Sequence, residues 1–146
     1  MSVVERYYDR HAGYENRRLF QDPYHMLEFI VTFHYLRKYL PEMGNILDCG
    51  CGSGNYAIAL VGMGYNVALV DISQRLLDIA VEKFRRTNRL SRLISAVKTS
   101  STDLSMFEDE TFDAALCFGP LYHLLNEADQ VRTVEELRRV LKPSGA

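Results

Sequence analysis

Residues 45–60 read NILDCGCGSGNYAIAL. Ile46 and Leu47 begin a short apolar strand, Gly50, Gly52 and Gly54 crowd one turn, and Tyr56 to Met63 then has the spacing of a helix. A glycine-rich turn between strand and helix brings backbone close to a ligand at the carboxyl end of a sheet, beside a helix N-terminus. Asp48, just ahead of the turn, sets a carboxylate at the same place.

Downstream, short apolar runs alternate with helical patterns: NVALVD (66–71), Gln74 to about Thr87, SAVKT (95–99), then FDAALCF (112–118) after DLSMFEDET. Strand, helix, strand, helix is the pattern of a parallel sheet with crossover helices, so the fold is expected to be α/β and doubly wound. Gly64 is placed to close the first of these helices and Ser73 to cap the second. Asn126 or Asp129 starts the last, whose Val134, Leu137 and Leu141 face one way before Pro143 ends it. Upstream, Asp22-Pro23 offers an N-cap and a proline at the first helical position, and Leu27, Ile30, Phe33, Leu36 and Leu40 recur until Pro41. Residues 4–19 also read as helix, rich in Tyr and Arg. The expected organisation is a helical cap over residues 1–43 and a nucleotide-binding unit over 44–146.

The bulk numbers exclude several classes. The chain has 146 residues, 47% apolar, enough for one domain with a real core. Lys and Arg total 17 against 19 Asp and Glu, a net charge of -2 with no long single-sign block, so a nucleic-acid partner is not expected. No apolar run has the form of a signal peptide or a membrane span. Cys49, Cys51 and Cys117 are an odd count, the first two too close for an ordinary disulfide, and Cys49-x-Cys51 lacks the second pair a metal site would need. Reduced thiols and a cytoplasmic location are the expectation.

Two ligands compete for the turn. Gly52-x-Gly54-x-x-Ala57 satisfies the dinucleotide pattern, and Asp71 stands about 20 residues on, where a ribose-binding acid belongs. Yet the dinucleotide turn receives a pyrophosphate, which the Asp48 carboxylate would repel by a few kcal/mol in a cleft. An ammonium group near Asp48 and a ribose near Asp71 satisfy both acids, and S-adenosylmethionine has both, with a sulfonium between them.

ILDCGCGSG resembles motif I of the class I, Rossmann-like S-adenosylmethionine-dependent methyltransferases, and the resemblance runs from about Tyr7 to the end of the chain. It implies S-adenosyl-L-methionine as cofactor, with Asp48, Gly50, Cys51, Gly52 and Asn55 among the residues that bind it. VALVDIS resembles the second-strand motif, whose terminal acid, here Asp71, holds both ribose hydroxyls while Ile72 packs on adenine. SSTDL resembles the motif after the third strand, implying Asp103 and the backbone of Leu104 at the adenine edge; an Asx-turn is the rival reading of Asp103. FDAALCFGPLYHL resembles the fourth-strand motif, implying Phe118 at the cofactor and Tyr122 and His123 at the reacting end. ELRRVLKPSG resembles the helix and turn that follow.

His123 reads either as a general base or as a structural histidine, and Tyr7, Tyr8 and Tyr14 either as a lid or as packing. Phe118-Gly119-Pro120-Leu121-Tyr122 replaces the Asn/Asp-Pro-Pro-Tyr/Phe pattern associated with methylation of amino groups in nucleobases and glutamine, which points to a small-molecule acceptor. The family's sheet has seven strands, and this chain stops after the fourth and its helix. The expectation is a truncated chain, or a homodimer that hides the FDAALCF edge. A cofactor-binding module without catalysis and a nicotinamide-dependent oxidoreductase are the other functions left open.

Overall fold

A computed structural model describes residues 2–146. Two helices come first: α1 (Val3–Arg18), with a Ser2–Glu5 capping box, and α2 (Pro23–Tyr39), capped by Asp22 with Pro23 in its first turn. Then follow β1 (Asn45–Cys49), α3 (Asn55–Gly62), β2 (Asn66–Asp71), α4 (Gln74–Arg86), β3 (Leu93–Lys98), β4 (Ala114–Leu116), α5 (Pro120–His123) and α6 (Glu127–Val140). Ser73 accepts from the Leu76 N–H to cap α4, and Asn126, not Asp129, caps α6.

The four strands are all parallel in the order β3-β2-β1-β4. The order reverses at β1, so β1 and β2 are the inner strands and the crevice opens over their carboxyl ends. Alternate side chains feed two cores. Ile46, Val67 and Leu69 pack with Ala57, Leu60, Ala80 and Phe84 of α3 and α4 on one face. Leu47, Cys49, Ala68 and Val70 pack with Leu104, Phe112 and Val140 on the other. Helices therefore cover both faces, as a doubly wound sheet requires.

Three expectations change. Of the apolar positions read along α2, only Phe33, Leu36 and Leu40 reach the core; Leu27 and Ile30 are each 55% exposed. The apolar stripe meets the body through Phe29 and Phe33, which stack on Tyr56 of α3, and through the residues that follow them. In α6, Leu137 and Leu141 pack under the sheet while Val134 is exposed. The outer side of β4 is not wholly bare: the Ala115 N–H donates to the Ala146 carbonyl and the Ala146 N–H to that of Asp113. Asp113 anchors this corner, accepting from the Asn45 N–H at 2.8 Å and from Lys142 at 2.6 Å.

No helix is long and apolar enough to cross a membrane among the described residues.

Candidate active site

The carboxyl ends of β1 and β2, the start of α3, α5 and the inner side of α1 enclose a cavity of about 590 Å³, a size that suits a small organic ligand. The chain reaches it through a turn built by glycines. Gly50 and Gly54 have φ of +81° and +73°, conformations that cost an ordinary residue about 1–2 kcal/mol. Both are also pressed by neighbours: a Cβ on Gly50 would lie 2.6 Å from Pro120, and one on Gly54 2.8 Å from the Ala80 Cβ.

The turn does not present an open ring of donors. The N–H groups of Gly50 and Cys51 both point at the Val70 carbonyl, that of Gly52 at Asp71, and that of Gly54 at the Cys51 carbonyl. A pyrophosphate would find these four donors already used. What the turn offers is a surface that a ligand can approach closely, with acids beside it.

Asp48 is 4% exposed, and its Oδ2 is buried with no hydrogen-bond partner among the described residues. Burial, reinforced by the Asp71 carboxylate, pushes its pKa up to about 7. A buried carboxylate lining a cavity and lacking a partner is an acceptor waiting for a cation. Asp71, at the end of β2, accepts from the Gly52 N–H through Oδ2 and from the Ser73 N–H through Oδ1, each at 2.8 Å. Each oxygen keeps a further lone pair for a ligand hydroxyl. Burial raises its pKa, while the Ser73 and Gly52 N–H bonds oppose the rise.

The raised acid has a measurable consequence. Between the unfolded value near 4 and about 7, native Asp48 holds a proton that the unfolded chain has lost, so this group's contribution to stability falls as pH rises through that window. Urea unfolding of the ligand-free protein is expected to show less stability at pH 8 than at pH 5 by on the order of a few kcal/mol, a difference that Asp48→Asn flattens. Equal pH dependence in the two proteins would refute the assignment.

Gly50, Cys51, Gly52, Asn55, Ile72 and Phe118 line the cavity with the two acids. Asn55 is held from behind by Lys83, whose Nζ donates to its Oδ1 and to Ser53 Oγ; burial lowers the Lys83 pKa to about 8. Tyr122 and His123 also face the cavity. Of the three tyrosines read as lid or packing, Tyr8 alone lines it, with its hydroxyl 2.7 Å from His123 Nε2. Tyr7 and Tyr14 are exposed. Burial first, then the neighbouring Tyr122, raises the Tyr8 pKa, so the phenol stays protonated.

Asp103 and Leu104 do not line the cavity. Asp103 Oδ1 accepts from the Ser105 N–H and hydroxyl, the Asx-turn reading of this residue. The Leu104 N–H donates to Glu136 at 2.7 Å, and its side chain is in the core. Lys98, Thr99, Ser100 and Ser101 form that wall instead.

Other contributors gave no signal in the sequence. Arg18 forks onto Glu28 at 2.7 and 3.1 Å and reaches Glu15 at 3.2 Å, closing one end of the cavity. Two clasps tie α1 to the sheet: Glu5 with Lys98 at 2.7 Å, and Asp9 accepting from the Ser73 hydroxyl at 2.5 Å.

The sequence matches the family model described as a methyltransferase domain over residues 46–145. It is 33% identical over 111 residues to a glycine/sarcosine N-methyltransferase of Aphanothece halophytica, covering 74% of this chain and 41% of that protein. A 2-phytyl-1,4-naphtoquinone methyltransferase of Trichormus variabilis is 43% identical over 101 residues, 67% of this chain and 42% of that one. Among solved structures, the PH0226 protein of Pyrococcus horikoshii superposes with a TM-score of 0.74 at 30% identity, over 86% of this chain and 57% of its own. The [4+2]-cyclase SpnF has the same fold at 21% identity, with a TM-score of 0.82 over 96% of this chain and 56% of its own. The chain thus spans about half the length of the relatives it matches. With its parallel sheet, its glycine turn between two strand-end acids and a family match across the whole sheet, the chain belongs to the class I, Rossmann-like S-adenosylmethionine-dependent methyltransferases.

Proposed function

We propose that this chain binds S-adenosyl-L-methionine in the cavity and transfers its methyl group to a small-molecule acceptor. The observation that carries the reading is the buried Asp48 Oδ2 without a partner, beside an Asp71 carboxylate that retains acceptor capacity. An ammonium fits the first and ribose hydroxyls the second. The bound sulfonium supplies an electrophilic methyl group.

The protein's own residues then do three things. Asp48 and Asp71 fix the two polar ends of the ligand, with Ile72 against the base, and Phe118 closes the middle. Holding nucleophile and methyl in line in a dry site gives most of the acceleration. His123 serves as the base for an acceptor that must lose a proton: with Nε2 unprotonated it accepts from the Tyr8 hydroxyl 2.7 Å away, which hands on its own proton as it takes one from the acceptor. Tyr122 packs its ring on His123, with centroids 4.4 Å apart, and forms the outer wall. The aromatic side of the cavity and the bonded Arg18–Glu28 end suit a small molecule.

Calorimetric titration with S-adenosylmethionine and S-adenosylhomocysteine, with NADH as control, tests the cofactor. Binding of the sulfur nucleosides alone is the expected result; tighter binding of NADH would overturn it. A methyl-incorporation panel of amines and quinols then tests the acceptor class. With a hydroxyl acceptor, His123→Ala is expected to lower kcat by about 10²–10⁴-fold, the usual worth of a general base, while S-adenosylhomocysteine affinity holds. An unchanged kcat would remove His123 from the chemistry.

A further inference from the structure

Two of the three cysteines lie outside the cofactor cavity and beside each other. Cys49 is the last residue of β1, and Cys117 follows directly on β4. The strands run parallel with Leu47 opposite Ala115 and Asp48 opposite Leu116. One further step along that register sets Cys49 opposite Cys117, on the face that carries Leu47 and Ala115. Paired strands stand about 4.8 Å apart, inside the roughly 4.4–6.8 Å Cα separation that a disulfide spans. The two thiols are close enough to act on each other's ionisation.

Their surroundings divide the roles. Cys49 is buried with Leu47, Ala68, Val70 and Leu104, whereas Cys117 is partly exposed. The neighbouring Cys49 thiol and the Leu121 N–H favour the Cys117 thiolate against the effect of burial. Its Cys117 neighbour, and burial after it, push the Cys49 thiol up. A partly exposed cysteine with thiolate character beside a buried partner is the arrangement of an oxidisable pair. Cys51 lacks it: it packs into the core on the opposite face, where burial and the Asp48 and Asp71 carboxylates keep it protonated.

We propose that Cys49 and Cys117 are a peroxide-sensitive dithiol whose closure to a disulfide disturbs the cofactor cavity. The Cys117 thiolate attacks hydrogen peroxide: an S–O bond forms, the O–O bond breaks, and the departing hydroxide leaves as water once protonated. Cys49 then displaces the hydroxyl of the Cys117 sulfenic acid, forming the S–S bond and releasing a second water that takes the Cys49 proton. In sum, two thiols and one peroxide give one disulfide and two waters, sulfur oxidised and peroxide oxygen reduced.

The disturbance follows from position. A disulfide prefers its Cα atoms about 5.5–6 Å apart, wider than the roughly 4.8 Å spacing of paired strands, so closure pushes the ends of β1 and β4 apart. Gly50 follows Cys49, and a Cβ there would already meet Pro120 at 2.6 Å. The turn and α5 have no slack between them, and α5 carries Tyr122 and His123. This second half of the proposal rests on the cofactor reading above.

The test treats the reduced chain with hydrogen peroxide and follows intact mass, non-reducing peptide maps and S-adenosylhomocysteine affinity. The expected result is a loss of about 2 Da, two hydrogens, a cross-link between the peptides holding Cys49 and Cys117, and affinity reduced about tenfold. Dithiothreitol reverses all three, and Cys117→Ser and Cys49→Ala abolish them. Oxygen adducts without a cross-link, a cross-link through Cys51, or a Cys49–Cys117 disulfide that leaves affinity unchanged would overturn the proposal. Failure of the reduced chain to bind S-adenosylhomocysteine would instead fault the cofactor reading, and the peptide map would still decide the thiol pair.

Discussion

Asp71→Ala lowers affinity for S-adenosylhomocysteine by roughly ten- to over a hundredfold. Each charge-assisted hydrogen bond from the carboxylate to a ribose hydroxyl is worth about 1.5–3 kcal/mol, and each 1.4 kcal/mol is about a factor of ten. The side chain also organises its own end of the site: it accepts the Gly52 and Ser73 N–H groups, so alanine leaves both donors unpaired and loosens the turn. Asp71→Asn separates the two effects, since its carbonyl oxygen still accepts one of these bonds while the charge is gone. Calorimetry measures the affinity, and a thermal melt confirms that the variant is folded. A folded Asp71→Ala protein with unchanged affinity would rule out the ribose role.

Gly54→Val is expected to cost about 2–5 kcal/mol of stability. Part is backbone: at φ +73° a side chain costs about 1–2 kcal/mol. The rest is overpacking, about 1–3 kcal/mol, because the new Cβ would lie 2.8 Å from the Ala80 Cβ and 3.3 Å from its Cα, on the α4 side of the core. Against a typical total near 5–15 kcal/mol, this is a large fraction. Gly52→Ala is the control. It has φ +53° but no atom within 4 Å of the added Cβ, so only the backbone part of about 1–2 kcal/mol applies. Urea unfolding of the pair distinguishes them, and equal losses would show that the packing of α3 on α4 does not constrain position 54.

How much could be read without coordinates depended on how local each cause was. The strands and helices follow from periodicity and caps within a few residues, and β1, β2, α4 and the Ser73 cap stand where the sequence places them. Asp48 and Asp71 were legible for a similar reason: one is the penultimate residue of β1 and the other the last of β2, and neighbouring parallel strands bring both ends to one crevice. Asp103 was legible only as a choice between ligand and turn. Its Ser105 partner sits two residues away, but the Glu136 carboxylate that takes the Leu104 N–H comes from 32 residues on. The Phe33–Leu36–Leu40 end of α2 could not be told from the Leu27–Ile30 end, because an apolar stripe says which side turns inward and not how far along it the body reaches.

By itself, then, the sequence determined the parallel sheet, its crossover helices, the glycine turn and the two strand-end acids, since all are set by local geometry and short-range hydrogen bonding. Only the tertiary structure decided that Tyr8, of three tyrosines, meets His123 across 115 positions, that Arg18 forks onto Glu28, and that Cys49 faces Cys117. Such pairs depend on how helices and strands pack, and packing is the joint result of the whole core, which no local pattern in the chain encodes.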